Sequence, residues 1–193
     1  MEKLFNTEKL IQDKIVKSLI KPLKNVEIKK MVDAGSGKVS ASILLKYFAN
    51  ASLDAIVYPG DNRKKHPLEN AIGSNRLEII ETDLCSACIR KKYDLTLAML
   101  SLGEAHNFGN HFSDLFHQVM SIKSNYYIIV DIFEDPCVHF RYMEQWWKEK
   151  GYKIIKKKKF RNPKPEKYPK VKYDKYKLEF MSKHYMAYLV EKI

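Results

Sequence analysis

Apolar residues Leu4, Leu10, Ile11, Ile15, Leu19 and Ile20 recur at helical spacing, and Pro22, which cannot continue a helix, closes the run. The pattern predicts an amphipathic helix over residues 4–20. Apolar runs of strand length follow at 26–34, 53–58, 77–80, 93–100, 126–133, 152–160 and 185–191. Between them the period returns to that of a helix: over 39–48, around 67–72, over 108–122, and after Pro136 through Trp146 and Trp147 to Lys150 and Gly151. Such alternation predicts a parallel α/β sheet with helices on both faces. The last two strands have no long helix between them and should pair as a hairpin. Pro163, Pro165 and Pro169 exclude a regular helix or central strand over 161–177, which is expected to be an exposed loop.

At 193 residues and 45% hydrophobic, the chain has the size and composition of one domain with one core. Residues 1–24 supply its first helix, 25–150 its main body and 151–193 the last two strands with their loop. No apolar run approaches the roughly 18 residues of a membrane span, and residues 1–20 carry charges where a signal peptide would be apolar. Three cysteines, an odd number, suit reduced thiols. A cytoplasmic protein without membrane contact is expected. Trp146 and Trp147 point about 100° apart on a helix, so at least one belongs to the core.

Charge changes this picture. The formal net charge is +12, and residues 148–183 hold 15 basic residues against four acids, whereas the other 157 residues hold 20 against 19. Coding bias, visible as 30 Lys against 5 Arg, does not by itself concentrate charge in one segment. In that segment the lysines alternate with Phe160, Tyr168, Tyr173, Tyr176 and Phe180, with Tyr185 just beyond. Cations with interleaved rings suit phosphate neutralisation and stacking on unpaired bases, and no groove-reading motif is visible, so RNA is favoured over DNA. The candidate nucleic-acid contacts are Lys156, Lys157, Lys158, Lys159, Arg161, Lys164, Lys167, Tyr168, Lys170, Lys172 and Tyr173. Four successive lysines on a strand would drive two of them into a covering layer, so that strand is expected at an edge of the sheet.

The chemistry-bearing turn is Asp33-Ala34-Gly35-Ser36-Gly37 at the end of the first strand. Two glycines allow a sharp turn and close approach of a ligand. A phosphate loop would need Gly at 32 and Ser or Thr at 39, where valines stand. A dinucleotide fingerprint would need Gly at 40, where Ser40 stands, and Asp33 would repel a pyrophosphate. S-adenosylmethionine has no phosphate and carries an ammonium that Asp33 can attract. The turn resembles the first motif of the class I S-adenosylmethionine-dependent methyltransferases, and acids also follow the second strand (Asp61) and the third (Asp83).

This resemblance covers most of the chain apart from the basic loop. It implies a three-layer αβα sandwich with a seven-stranded, mostly parallel sheet and a C-terminal antiparallel hairpin. It implies that Asp33, Ala34, Gly35, Ser36 and Gly37 bind the cofactor, that Asp61 holds the ribose, and that Asp83 with Leu84 holds the adenine. Met99, Leu100 and Ser101 would border the methionine moiety and the substrate. The Asn-Pro-Pro-aromatic signature of exocyclic-amine methylases is absent near 99–102, and no lysine ends the fifth strand as ribose methylases require. Methyl transfer from a sulfonium rests largely on positioning, so a base is optional. Glu104 and His106 are the candidates for one, beside the reading that they are ordinary loop side chains; His111 lies nearby in sequence, and Glu134 and Asp135 follow the fifth strand, where they could face the substrate or, for Asp135, cap the next helix. A small-molecule or anionic substrate under a basic lid is the alternative to RNA, and a non-catalytic nucleic-acid-binding relative of the fold is the alternative to an enzyme.

Cys85-Ser86-Ala87-Cys88 is half of a possible zinc set, and Cys137 and His139 could supply the other half. In the expected strand order 3-2-1-4-5 the two halves lie four strand spacings apart, roughly 19 Å. No metal is expected, and the cysteines should be packed free thiols.

Overall fold

The computed structural model describes residues 2–36, 39–59, 74–86, 88–99, 112–132, 138–161 and 184–193. Among these the helices are α1 (Glu2–Leu19), α2 (Ser40–Tyr47), α3 (Phe112–Ser121) and α4 (Val138–Glu149). The strands are β1 (Lys30–Ala34), β2 (Ser52–Val57), β3 (Leu77–Glu81), β4 (Lys92–Met99), β5 (Lys123–Ile132), β6 (Tyr152–Arg161) and β7 (His184–Lys192). They form one seven-stranded sheet in the order β3-β2-β1-β4-β5-β7-β6. The first five strands pair in parallel, and β7 runs antiparallel to both β5 and β6. This is the expected α/β sandwich with its C-terminal hairpin. No helix among the described residues is long and apolar enough to cross a membrane.

Strand alternation sorts the core into two layers. Met31, Leu53, Leu95, Leu97, Ile128 and Val130 face Ile15 and Leu19 of α1 and Ile43 and Leu44 of α2. Their chain neighbours Val32, Ile56, Ala98 and Ile129 face Phe116 and Val119 of α3 and Phe140, Met143 and Trp147 of α4. Trp147 is wholly buried, its ring 5.1 Å from Tyr188 and 5.9 Å from Phe116, whereas Trp146 is half-buried at the α3–α4 seam. Gly151, with φ 74°, ends α4 in a left-handed conformation that other residues adopt only with strain.

Two boundaries differ from the sequence pattern. The first strand begins at Lys30 rather than residue 26, because Val26 still donates to the Leu23 carbonyl of the turn set by Pro22, and the Lys29 and Lys30 amides are taken by Asp94 at 2.8 and 2.9 Å. The fifth strand begins earlier, at Lys123, where pairing with Lys92 starts. The helix expected around 67–72, the start of the 108–122 helix and all but the first residue of the loop expected over 161–177 lie outside the described residues.

The four-lysine strand, β6, is at the sheet edge as expected. Two of its ammonium groups are nevertheless held within the protein. Lys156 donates to the Ser18 carbonyl at the end of α1 (2.8 Å), and Lys157 lies 2.7 Å from Glu144 of α4, which also accepts from Tyr188 at 2.5 Å. The same lysine-plus-tyrosine pairing recurs at Asp54 (Lys91 2.9 Å, Tyr93 2.7 Å) and Asp13 (Lys46 2.7 Å, Tyr47 3.0 Å).

Truncating Trp147 to Ala opens a core cavity and is expected to lower stability by about 3 to 5 kcal/mol, whereas Trp146→Ala should cost about 1 to 2 kcal/mol. Urea unfolding of the two variants checks this; equal losses would contradict the placement of Trp147 in the core.

Candidate functional site

The sheet order reverses at β1: β2 and β3 lie to one side and β4 and β5 to the other. In open sheets of this kind the carboxyl ends of the two strands at such a reversal, here β1 and β4, are the usual ligand site. Asp33 stands there, one residue before the end of β1, flanked by Ala55 of β2 and Leu97 of β4. Gly35, at φ 81°, turns the chain away, and the Ser36 amide donates to the Ile56 carbonyl at 2.7 Å. The Thr82 amide donates to the Val57 carbonyl at 3.0 Å, so the chains leaving β1 and β3 are both stitched to the end of β2.

The Asp33 carboxylate is completely buried. Ser40 Oγ donates to its Oδ2 at 2.5 Å, while Oδ1 has no hydrogen-bond partner among the described residues. Burial pushes its pKa up to about 6, against the opposing pull of the Ser40 and Ser36 hydroxyls. A buried carboxylate oxygen without a donor is unfavourable by itself, and a cationic or N–H group of a ligand would relieve it. The residues present thus fit a cofactor with an ammonium, with the glycine turn providing close approach.

Of the other expected cofactor contacts, Ala34, Gly35 and Ser36 share this turn. Asp83 lies at the carboxyl end of β3, where its Oδ1 accepts from the Cys85 amide at 3.0 Å and so shapes the turn carrying buried Leu84. Met99, buried, ends β4 beside Val130. Gly37, Asp61, Leu100, Ser101, Glu104 and His106 lie outside the described residues, as do Lys164, Lys167, Tyr168, Lys170, Lys172 and Tyr173. Lys158, Lys159 and Arg161 are exposed on β6, with Lys158 Nζ 5.0 Å from the Phe160 ring centre.

The cysteine expectation needs correction: Cys85 is half-buried but Cys88 is exposed, so only one of the two packs. Burial, with Asp83 and Asp114 nearby, pushes the Cys85 thiol up, the opposite of a reactive thiolate. In the observed order β3 and β5 stand four strands apart, and Cys137 of the expected second half lies outside the described residues.

Two residues at this end of the sheet went unassigned in the sequence. Ser40 was visible only as a departure from a glycine pattern. Asp131, buried at the carboxyl end of β5 opposite Met186, was signalled by an acid inside an apolar run.

No family model matches the sequence, and no curated protein matches it. Solved structures do. A candidate RNA methyltransferase of Pyrococcus horikoshii superposes with a TM-score of 0.66 at 13% identity, covering 95% of this chain and 83% of its own. The magnesium protoporphyrin IX methyltransferase of Synechocystis, solved with S-adenosylmethionine bound, gives 0.66 at 13% identity over 100% and 83%. A didemethyltoxoflavin N1-methyltransferase of Burkholderia thailandensis, with S-adenosylhomocysteine bound, gives 0.58 at 10% identity over 90% and 77%. The chain has the Rossmann-like fold of the class I methyltransferases.

The raised pKa of Asp33 fixes the sign of a stability effect. Because the folded-state value of about 6 exceeds the ordinary 3.8, folding takes up a proton between about pH 4 and pH 6, and stability falls as pH rises through about 6. Asp33→Asn should therefore stabilise the ligand-free protein at pH 8, by about 1 to 3 kcal/mol, and do little at pH 4. Urea unfolding at the two pH values measures the difference, and a variant less stable than wild type at pH 8 would refute it.

Proposed function

We propose that the protein is an S-adenosylmethionine-dependent methyltransferase whose substrate is RNA. The observation that carries the cofactor is Asp33: a buried carboxylate at the switch point of the sheet, with one oxygen lacking a donor among the described residues. Asp33 would accept from the cofactor's ammonium, Gly35 and Gly37 would admit it close to the backbone, Asp61 would hold the ribose and Asp83 with Leu84 the adenine. The bound cofactor supplies a methyl group already activated on a sulfonium. The chain then has to hold the acceptor in line with that group and exclude water, with Met99, Leu100 and Ser101 at the rim. Glu104 and His106 are the proposed proton acceptors.

RNA is supported by the placement of charge. The basic surplus of residues 148–183 includes the edge strand, where Lys158, Lys159 and Arg161 are exposed, and the lysine- and tyrosine-bearing sequence that follows it. An edge position lets these side chains meet a phosphate backbone without disturbing the sheet. Similar folds also act on small molecules, as the porphyrin and toxoflavin enzymes do, so the test must separate the two substrate classes.

Calorimetric titration of S-adenosylhomocysteine should give micromolar binding that is lost in Asp33→Ala, with NAD inert. Tritiated methyl should then enter RNA rather than remain absent from every pool. Binding to a single-stranded RNA should weaken with salt, and the Lys158→Ala, Lys159→Ala, Arg161→Ala triple variant should flatten the slope of log K against log salt by about 2. Lys157→Ala should change the slope little, because Glu144 already holds that ammonium. Cofactor binding combined with no salt-dependent RNA binding would move the assignment to a small-molecule substrate. RNA binding with no methyl incorporation would make the chain a binding protein.

A further inference from the structure

Ser40 is the first residue of α2, and the local chemistry of that helix start is unusual. A serine at the N-cap position ordinarily satisfies one of the helix's own amide groups; Ser40 stands one residue beyond it, at the first helical position. Here the N-cap is Val39, no side chain caps the helix, and the Ser42 hydroxyl turns back to the Val39 carbonyl at 2.8 Å. The Ser40 hydroxyl instead crosses to another element and donates to Asp33 Oδ2 at 2.5 Å. Both residues are buried, Asp33 completely and Ser40 to 4% exposure. The N-cap residue makes no side-chain bond to the helix, while the hydroxyl next to it serves a buried carboxylate. Departures of this kind from a local rule concentrate at functional sites.

The surroundings of Asp33 explain why one hydroxyl matters. Alternation along β1 places it with Met31 on the α1/α2 side of the sheet, and its register neighbours on β2 and β4 are Ala55 and Leu97. On α2 the residues following Ser40 toward the core are Ala41, Ile43 and Leu44, all buried and apolar. Among these described neighbours no group carries charge, and the polar groups acting on the carboxylate are the hydroxyls of Ser40 and Ser36. Ser36 lies on the ligand-facing glycine turn, whereas Ser40 belongs to a helix packed on the sheet. Ser40 is therefore the donor fixed by the scaffold.

We propose that Ser40 is a positioning residue of the cofactor site, fixing the Asp33 carboxylate through Oδ2 and leaving Oδ1 as the acceptor for the cofactor's ammonium. This rests on the S-adenosylmethionine reading above. A hydrogen bond to the charged form favours that form, so Ser40 also sets the pH at which the carboxylate is an anion able to attract the cofactor. Without it, burial acts with less opposition and Asp33 takes up its proton at higher pH.

Two measurements test this on the whole chain. Carbon NMR of the Asp33 carboxyl in the ligand-free protein should show a midpoint near 6 in the wild type, moved up by about one pH unit in Ser40→Ala and restored in Ser40→Thr. Calorimetry with S-adenosylhomocysteine should show Ser40→Ala binding about fivefold weaker than wild type at pH 6 and within about twofold of it at pH 8, the difference tracking the ionised fraction of Asp33. A purely structural serine would lower stability in Ser40→Ala and leave both the NMR midpoint and the pH profile of binding where they are, and that result overturns the proposal. Failure of the wild-type protein to bind S-adenosylhomocysteine at any pH overturns the cofactor reading itself. The NMR midpoints distinguish that failure from a failure of the Ser40 to Asp33 coupling.

Discussion

The parallel strands β1, β2, β4 and β5 are covered by apolar side chains on both faces, and this constraint decides where the molecule can do chemistry. A sheet buried on both sides offers only its ends. At the amino ends, side chains bridge neighbouring segments around an open pocket: Asp94 takes two amides of the segment entering β1, Arg76 donates to carbonyls of the α2–β2 connection, and Lys91 joins Asp54 of β2 to Glu78 of β3. At the carboxyl ends the bonds are of another kind. They tie loop backbone to the end of β2, through Ser36 and Thr82, and leave side chains such as Asp33 turned to other use. One end of the sheet is fastened by side chains and the other keeps side chains available.

The C-terminal hairpin solves a different problem. Adding β7 antiparallel between β5 and β6 places the lysine-rich strand at an edge, where repulsion among its cations is screened by water instead of being confined under a helix. Lys156 and Lys157 divide the two faces of that strand between them, one bound to the end of α1 and the other to α4. They fasten the edge to both covering layers. Lys158 and Arg161, also on that strand, are exposed.

Much of this was legible in the sequence because the period of apolar positions is set by burial, and burial is what the fold is built on. The seven strands, the helices α1, α3 and α4, the edge position of the lysine run and the core place of one of the adjacent tryptophans all follow from spacing alone. The errors fall where side chains compete with the backbone pattern. Apolar Val26 and Ile28 extend the strand pattern forward, yet the turn after Pro22 and the Asp94 carboxylate claim that stretch of backbone. Cys88 reads as a small apolar residue and sits in the open. Asp33 was legible as an acid before a glycine turn; its partner Ser40 was not, because nothing in a serine's position tells which way its hydroxyl points until α2 is packed on β1.

Comparison with the other acids on the same covering face and its opposite shows what is particular about Asp33. Asp13, Asp54 and Glu144 each receive a lysine and a tyrosine, so their charge is neutralised within the protein. Those acids are less buried than Asp33, and the unfavourable desolvation they must offset is smaller. Asp33, the most buried of the four, receives hydroxyls in place of a cation and keeps an oxygen without a donor among the described residues. If its role were to hold β1 to α2, a neutral side chain would do so without the desolvation penalty, as the buried Thr96 and Ser124 hydroxyls do for β4 and β5 at 2.5 Å. An ionisable group held without a counter-charge makes physical sense when the counter-charge arrives with a ligand. The ligand-free protein is then less stable than it could be, and binding recovers the difference.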